Sequence, residues 1–183
     1  MKFRPFPKSK FNVIYVDPPW NYRDKGIAGN RGASTKYKTI PLPDLILLPV
    51  EKLASRHCAC LMWTPDTFIK DAAALMKAWG FEYKRIGFVW VKTTKDGSRN
   101  LMTLGRYTRS NAEFVLLGVK GTPKVKSHSI NQIYASPPIK NHVKPDEIRK
   151  RIIKLFGDVK RIELFAVNRK HIKDGFTSWG NQA

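Results

Sequence analysis

The amino-acid sequence predicts an α/β fold with a mostly parallel sheet, and two observations lead to that class. Short apolar runs rich in β-branched residues recur along the chain. Segments with helical periodicity lie between those runs. Apolar strands that alternate with helices are typical of a layered fold whose sheet is covered on both faces.

Apolar runs predict strands at five places along the chain. Cys58 and Cys60 alternate with Ala59 in one of these runs, so we expect both thiols to point to one face of a strand and to be reduced. The run at 81–91 is long enough for one or two strands. The predicted strands are residues 12–16, 58–63, 81–91, 113–119 and 162–167.

Helices are predicted between the strands. One begins near Thr64, a favourable N-cap residue, and ends at Gly80. Another covers residues 146–156. Residues 44–53 are apolar enough for a further helix, which Pro49 must break or kink. The remaining segments, 21–38, 93–110 and 120–142, are predicted as loops from their glycine, proline and polar content.

The charge of the chain indicates a polyanionic partner. Lysine and arginine total 34 residues against 14 aspartates and glutamates, which gives a formal charge of +20. A charge that large repels itself, and polyanion binding explains it because neutralised phosphates release counterions. The alternative is that the charge serves solubility alone. We therefore expect a nucleic-acid partner.

Membrane and metal partners are not expected from this sequence. No stretch approaches the ~20 apolar residues that a bilayer span needs. The basic start of the chain also lacks the apolar core of a signal peptide. We expect one intracellular domain over residues 1–183 without a metal site. The oligomeric state stays open, with a homodimer among the arrangements.

The first predicted strand runs straight into Asp17-Pro18-Pro19-Trp20. Ligands of parallel α/β sheets bind beyond the carboxyl ends of strands, which is where this motif lies. We expect the Asp17 carboxylate and the Pro18 carbonyl to accept the two N–H bonds of an exocyclic base amine. The two prolines stiffen the turn, and the Trp20 ring is expected to stack on a base that has left the duplex. The alternative is a proline-rich turn with a buried tryptophan.

A second segment, Ser136-Pro137-Pro138-Ile139, has a similar pattern of a small polar residue before two prolines. It follows no apolar run and lacks both the acid and the aromatic ring. We therefore interpret this second segment as part of a loop.

A basic loop is predicted between the strands at 81–91 and 113–119. It interleaves cations with an aromatic side chain, which suits a phosphate backbone and a displaced base. We expect the loop to be mobile without DNA and to order over the site beside Trp20. The alternative is a solvated basic surface, with the footprint at residues 23–38 or 140–161. The residues predicted to bind nucleic acid are Lys92, Arg99, Arg106, Tyr107 and Arg109.

Further sequence blocks carry a family resemblance. They include Leu61-Met62-Trp63-Thr64, Trp90-Val91-Lys92-Thr93, Lys144-Pro145-Asp146-Glu147 and Glu163-Leu164-Phe165-Ala166. Together with the Asp-Pro-Pro-Trp motif, these blocks resemble the adenine-amine methyltransferases typified by the catalytic subunit of the eukaryotic mRNA N(6)-adenosine methyltransferase. That family has bacterial and phage relatives.

The resemblance implies a fold and a cofactor. The fold would be a Rossmann-like methyltransferase sheet in a three-layer sandwich, with permuted motif order. The catalytic motif, residues Asp17, Pro18, Pro19 and Trp20, comes first, and the strand at 162–167, which usually carries the cofactor motif, comes last. The cofactor would be S-adenosylmethionine.

The resemblance also implies a cofactor pocket. Lys144 would pair with the methionine carboxylate, while Asn181 and Gln182 would contact the ribose and adenine. Relatives usually carry arginine after the Glu-Leu-Phe-small block, where this chain has Val167, so Asn168 or Arg169 is expected to serve instead. The implied cofactor-binding residues are Asp17, Lys144, Asn168, Arg169, Asn181 and Gln182.

The implied reaction is methyl transfer from S-adenosylmethionine to the exocyclic N(6) amine of adenine. DNA is preferred to RNA as substrate because the chain is compact and shows no appended recognition domain, like bacterial or phage members. Such a protein would act in the cytoplasm of a bacterial or phage-infected cell. The alternatives are the same reaction on RNA, an inactive nucleic-acid-binding subunit of a methyltransferase complex, and a plain basic binding module.

Overall fold

Seven strands form one sheet in the part of the chain that the computed structural model describes, residues 4–21, 39–102, 107–139, 143–166 and 174–180. In chain order they are β1 (Phe11–Val16), β2 (Ala54–Thr64), β3 (Glu82–Lys92), β4 (Ala112–Lys120), β5 (Ile133–Ser136), β6 (Arg161–Leu164) and β7 (Phe176–Trp179). Their order across the sheet is β5-β3-β4-β2-β1-β6-β7. The predicted α/β class with a mostly parallel sheet is confirmed.

Strand β4 is antiparallel to both of its neighbours, β2 and β3, whereas every other pair in the sheet is parallel. Thr64 at the end of β2 pairs with Phe114 near the start of β4, and Val91 pairs with Ala112. The start of β4 therefore lies at the same edge as the carboxyl ends of the other six strands. We call this the carboxyl edge.

Among the residues that the structure describes, three helices flank the sheet: α1 (Leu42–Ile46), α2 (Ile69–Ala78) and α3 (Asp146–Phe156). Single 3-10 turns cover Val50–Leu53 and Asp66–Phe68. The break expected at Pro49 is confirmed, since α1 ends before this proline and the first 3-10 turn begins after it. Across the described ranges no helix is both long and apolar enough to cross a membrane.

The core has two layers because side chains alternate along the central strands. Ile14 on β1 packs in the cluster that contains the buried residues of α1 and α2, whereas Tyr15 packs in the cluster beneath α3. Cys58 and Cys60 are free and buried in the first cluster, with Ala59 in the second. Both thiols therefore point to one face, as predicted, and helices cover the two faces of the sheet.

Some boundaries differ from those predicted. The helix expected to begin near Thr64 begins at Ile69, because β2 continues to Thr64 and a 3-10 turn follows Pro65. The predicted run at 162–167 corresponds to β6, which is regular only to Leu164, and Phe165 adopts a positive φ of 61°. Strand β7 was not predicted.

The predicted loop at 120–142 contains β5, which was also not predicted. This edge strand is short and half-exposed, with Ile133 61% exposed, so it shows no continuous apolar run. Arg151 of α3 holds the start of this strand, because one of its nitrogens donates to Asn131 O just before β5 and to Ile133 O, both at 2.8 Å. Ser136 ends β5, so the second proline pair follows a short, partly exposed strand. Pro137, Pro138 and Ile139 lie outside strands and helices, as the interpretation of this segment as a loop expected.

Candidate active site

Asp17 lies at the carboxyl edge, at the centre of the sheet. It follows β1, which has β2, β4, β3 and β5 on one side and β6 and β7 on the other. Two residues before it, Tyr15 points to the face covered by α3. Lys144, which precedes α3, reaches the Asp17 carboxylate from that face, with 3.2 Å between Nζ and Oδ2.

The turn after Asp17 is fixed by backbone hydrogen bonds. Trp20 N donates to Pro18 O at 2.8 Å, and Ile40 N donates to Pro19 O at 2.9 Å. Both proline carbonyls of the turn therefore already accept one backbone hydrogen bond. The Pro18 carbonyl keeps one lone pair for a further donor, because a carbonyl oxygen can accept two hydrogen bonds.

Trp20 is inside the protein, with 5% of its surface exposed. Its ring stacks on Phe68 at 5.5 Å between centroids, and its indole N–H donates to the backbone oxygen of Trp63 at 3.0 Å. The buried ring matches the alternative of a proline-rich turn with a buried tryptophan, and stacking of Trp20 on a displaced base stays a prediction. Trp20 anchors the turn to β2 in this conformation.

Asp17 belongs to an ion-pair network of four side chains. Lys144 Nζ also lies 2.9 Å from Glu113 Oε2, and the other carboxylate oxygen of Glu113 lies 2.5 Å from Lys92 Nζ. Glu113 stands at the start of β4 and Lys92 at the end of β3. We call the four residues Asp17, Lys144, Glu113 and Lys92 the carboxyl-edge network.

The charges of this network shift the pKa values of its members. Burial raises the pKa of Asp17 above its ordinary value, although the Lys144 ammonium opposes that rise. Burial alone would also raise the pKa of Glu113, but Lys144 and Lys92 outweigh it and lower that pKa. Burial acts against the charge of Lys144, yet Asp17 and Glu113 raise its pKa overall. Lys144 is therefore a cation at neutral pH, while Asp17 takes up a proton more readily than an ordinary aspartate.

A second polar layer supports the network from behind. The Trp63 indole N–H donates to the Tyr15 hydroxyl at 2.5 Å, and Lys144 Nζ lies 5.4 Å from the Trp63 ring centroid. The Arg149 guanidinium lies 5.4 Å from the centre of the Tyr15 ring and forms a two-bond fork with Glu163 at 2.9 and 2.7 Å. Burial raises the pKa of Tyr15, so its hydroxyl stays neutral. These contacts fix Trp63 beneath the lysine.

The ends of β6 and β7 form a close backbone approach beside Asp17. Phe165 N donates to Trp179 O at 2.7 Å, and a Cβ placed on Gly180 would lie 3.0 Å from Phe165 Cα. The φ of Gly180 is 153°, which side chains rarely adopt. Phe165 is the one non-glycine residue with positive φ among those described. Strained backbone of this kind clusters at ligand sites.

The residues predicted to hold the cofactor divide into two groups. Asp17 and Lys144 are brought together by the fold. Lys144 has three N–H donors, two of which face the carboxylates of Asp17 and Glu113, so its third donor suits the carboxylate of S-adenosylmethionine. Asn168, Arg169, Asn181 and Gln182 lie outside the described residues. In the ranges that are described, no three His, Cys, Asp or Glu side chains cluster in a way that could hold a metal ion.

The described residues that were predicted to bind nucleic acid lie in two different environments. Arg99, Tyr107 and Arg109 are exposed beyond the carboxyl edge, with Tyr107 92% exposed. Lys92 is instead paired with Glu113 within the network. Arg106 lies outside the described residues. Residues 93–102 form a hydrogen-bonded hairpin in which Asp96 accepts from Thr94 and Ser98, and these bonds lower the pKa of Asp96 to about 2.

Sequence reasoning missed Glu113 as a functional residue. The signal was present, because Glu113 is a charged residue beside an apolar run, as Asp17 is. What the sequence did not reveal is that β4 is antiparallel, which places the start of this strand beside the end of β1. A carboxylate, an ammonium and a second carboxylate thus meet at the carboxyl ends of an α/β sheet, where ligands of such sheets bind.

Comparison with known proteins names the family. The MT-A70 family model matches residues 11–182. The chain belongs to the MT-A70 family. The Type II methyltransferase M.MunI from Mycoplasma sp is 34% identical in an alignment 198 positions long, which covers 98% of this chain and 79% of that protein.

Eukaryotic relatives match only a part of their own length. The human N(6)-adenine-specific methyltransferase METTL4 is 28% identical over 96% of this chain and 38% of that protein. The N6-adenosine-methyltransferase non-catalytic subunit MTB from Arabidopsis thaliana is 31% identical over 62% of this chain and 15% of that protein. The chain thus spans well under half the length of these two relatives.

Proposed function

We propose that the protein transfers a methyl group from S-adenosylmethionine to the exocyclic N(6) amine of adenine in DNA. The observation that carries the proposal is the pair of Asp17 and Lys144 at the carboxyl end of the central strand β1. Family membership supports the methyl-transfer chemistry. The names of M.MunI and METTL4 support a methyltransferase and an adenine specificity, respectively.

Asp17 and the Pro18 carbonyl supply the acceptors that the amine needs. The lone pair of an adenine amine is delocalised into the ring, so two acceptors on its N–H bonds localise that pair on nitrogen. When bound, S-adenosylmethionine supplies an electrophilic methyl group on a sulfonium. The methyl carbon would bond to N(6) as its bond to sulfur breaks, the sulfur would keep that electron pair and leave as a neutral thioether, and the amine would lose one proton. Asp17 suits that proton because burial raises its pKa.

The two sides of the carboxyl edge suit two ligands. Lys144 and the strained backbone at the ends of β6 and β7 suit the cofactor, whose carboxylate would take the third donor of the lysine. The exposed Arg99, Tyr107 and Arg109 on the β3–β4 side suit the phosphate backbone of the target. Asp17 lies between these regions, where the methyl donor and the amine must meet.

Two of the three alternatives from the sequence are compatible with membership of the MT-A70 family. The same reaction on RNA uses the same acceptors, since the amine is identical in both nucleic acids. An inactive subunit is the other alternative, supported by the similarity to the non-catalytic subunit MTB. The intact acid at position 17 and its lysine partner favour an active enzyme.

Methylation with radiolabelled cofactor tests the proposal. The protein is incubated with labelled S-adenosylmethionine and DNA, RNA or neither, and the digested nucleosides are separated by chromatography. We expect label in N(6)-methyldeoxyadenosine, no label with Asp17→Asn, and normal label with Asp158→Asn, whose carboxylate is fully exposed. Label in RNA alone would support the first alternative, and no incorporation into any nucleic acid would support the second.

A further inference from the structure

Lys92 is held at the carboxyl edge by contacts on two sides. Its ammonium lies 2.5 Å from Glu113 Oε1 and 5.2 Å from the centre of the Trp90 ring. The Trp90 indole N–H is held in turn by Ser136, at 2.9 Å from Oγ and 3.3 Å from the backbone oxygen. Both Lys92 and Glu113 are largely buried, with 24% and 20% of their side chains exposed. A cation in this position is directed into the protein.

Glu113 joins the two lysines because each of its oxygens has a different partner. Oε1 accepts from Lys92, and Oε2 accepts from Lys144. Lys144 then divides its donors between Glu113 and Asp17. The orientation of the Glu113 carboxylate therefore sets where Lys144 lies relative to the acid, and Lys92 is the group that fixes that orientation from the β3 side.

We infer that Lys92 is a positioning residue for the catalytic pair, which it aligns through Glu113, and that it is not a phosphate contact. This inference rests on the proposed function. It revises the prediction from sequence, which grouped Lys92 with the exposed cations of the following loop. Lys95, three residues further on, provides a matched exposed lysine in the hairpin turn.

The charges around Glu113 determine what the loss of Lys92 does. Glu113 faces Lys92 from β3, Lys144 from the segment before α3, and Asp17 from β1. Asp17 also faces Glu163 of β6 and Tyr15 of β1. Without Lys92, one of the two ammonium groups that lower the pKa of Glu113 is gone, while burial still raises it. Glu113 then takes up a proton at a higher pH and releases Lys144.

Variants at position 92 test the inference through pH dependence. In Lys92→Met, we expect methyl transfer to fall relative to the parent, and to fall further at pH 6 than at pH 9. Lys92→Arg should keep activity within ~3-fold at both pH values because it retains the charge. Lys92→Gln provides a second neutral variant if the methionine variant does not fold. Lys95→Met is expected to follow the parent pH profile.

Binding measurements at several salt concentrations separate the positioning role from a phosphate contact. The salt dependence of DNA binding should be the same in Lys92→Met as in the parent. A slope lower by about one unit, with a pH profile parallel to the parent, would overturn the inference and make Lys92 a phosphate contact. A Lys92→Met protein identical to the parent in activity at both pH values would overturn it as well.

Carboxyl-carbon NMR reports on Glu113 without any reaction. We expect Glu113 to titrate at higher pH in Lys92→Met than in the parent, and an unchanged titration would overturn the inference. If the parent methylates no nucleic acid, the proposed function fails, and this titration still decides whether Lys92 controls Glu113.

Discussion

The two proline pairs of the chain lie at the same edge of the sheet but differ in what surrounds them. Asp17 follows the central strand β1 and meets Lys144, whereas Ser136 follows the edge strand β5 and meets Trp90. The residue after the first pair, Trp20, is 5% exposed, and the residue after the second, Ile139, is 48% exposed. A strand followed by two prolines is therefore not sufficient to form a site. The site also needs the charged side chains that neighbouring elements place at the end of a central strand.

The largest effect on methyl transfer is expected when the acid is moved from position 17 to position 136. Asp17→Asn should lower methyl transfer at least ~100-fold, because an amide is a poor acceptor for the proton of the amine. Adding Ser136→Asp to that variant restores the same tripeptide at the edge strand. Activity should stay lost, because position 136 has neither Lys144 nor Glu113 beside it. Recovery of turnover in the double variant, measured with labelled cofactor, would contradict the comparison.

Trp20 and Ile139, the residues that follow the two proline pairs, should differ in their contribution to the stability of the protein. Trp20→Ala removes a buried ring that stacks on Phe68 and donates to Trp63, so it should cost about 3–5 kcal/mol of unfolding free energy. Ile139→Ala changes a half-exposed side chain and should stay within about 0.5 kcal/mol. Urea denaturation of both variants measures these values. Equal losses would mean that Trp20 is not the anchor of the first turn.

A lysine at the carboxyl edge and a lysine on the surface of α3 should differ in their contribution to cofactor affinity. Lys144→Met removes a charge-assisted contact worth ~1.5–3 kcal/mol, so the dissociation constant of S-adenosylmethionine should rise about tenfold or more. Lys150→Met, on the exposed side of α3, serves as the control and should leave the affinity as in the parent. Calorimetry that shows the same affinity for both variants would remove Lys144 from the cofactor site.

The same Lys144 variant should change the pH dependence of the reaction. The lysine lowers the pKa of Asp17 and of Glu113 against the effect of burial, so its loss raises both. Because the proposed reaction needs Asp17 ionised, the acid limb of the rate should move to higher pH. For Glu113, whose pKa is lowered in the folded protein, the associated stability is present at neutral pH and is lost as the pH falls. A rate profile that does not move would contradict the pairing.

The smallest effect is expected at Ser136. Ser136→Ala removes the 2.9 Å hydrogen bond to Trp90 but keeps the backbone oxygen at 3.3 Å, so it should cost about 0.5–1.5 kcal/mol of stability. Methyl transfer should fall only a few-fold, because the effect reaches Asp17 through Trp90 and Lys92. A loss as large as that of Asp17→Asn would place a second reactive centre at the edge strand.

Much of the layered fold could be predicted because buried central strands appear in the sequence as continuous apolar runs. Strands β1 and β2 are apolar at consecutive positions, and α3 was predicted with the bounds that the structure shows. Strands β5 and β7 were not predicted, because each is four residues long and partly exposed. Neither shows a run that is long or apolar enough to stand out from a loop.

The candidate site could be predicted only where the neighbouring sequence or a family motif was enough to identify a residue. Asp17 was found because it follows a buried strand, and Lys144 through the family resemblance. Glu113 and the true partner of Lys92 depend on the direction of β4, which apolar runs do not report. The burial of Trp20 depends on Phe68, which comes from a different segment of the chain. Such pairings arise from tertiary structure.

The reversed direction of β4 also sets where this fold can tolerate change in length. Because β3 ends and β4 begins at the carboxyl edge, the connection between them leaves and re-enters the sheet at the edge where Asp17 lies. Residues can be inserted or exchanged there without altering the pairing of a single strand. We therefore expect this connection to tolerate changes in length better than links that run between the two edges of the sheet, while Asp17 stays fixed after β1.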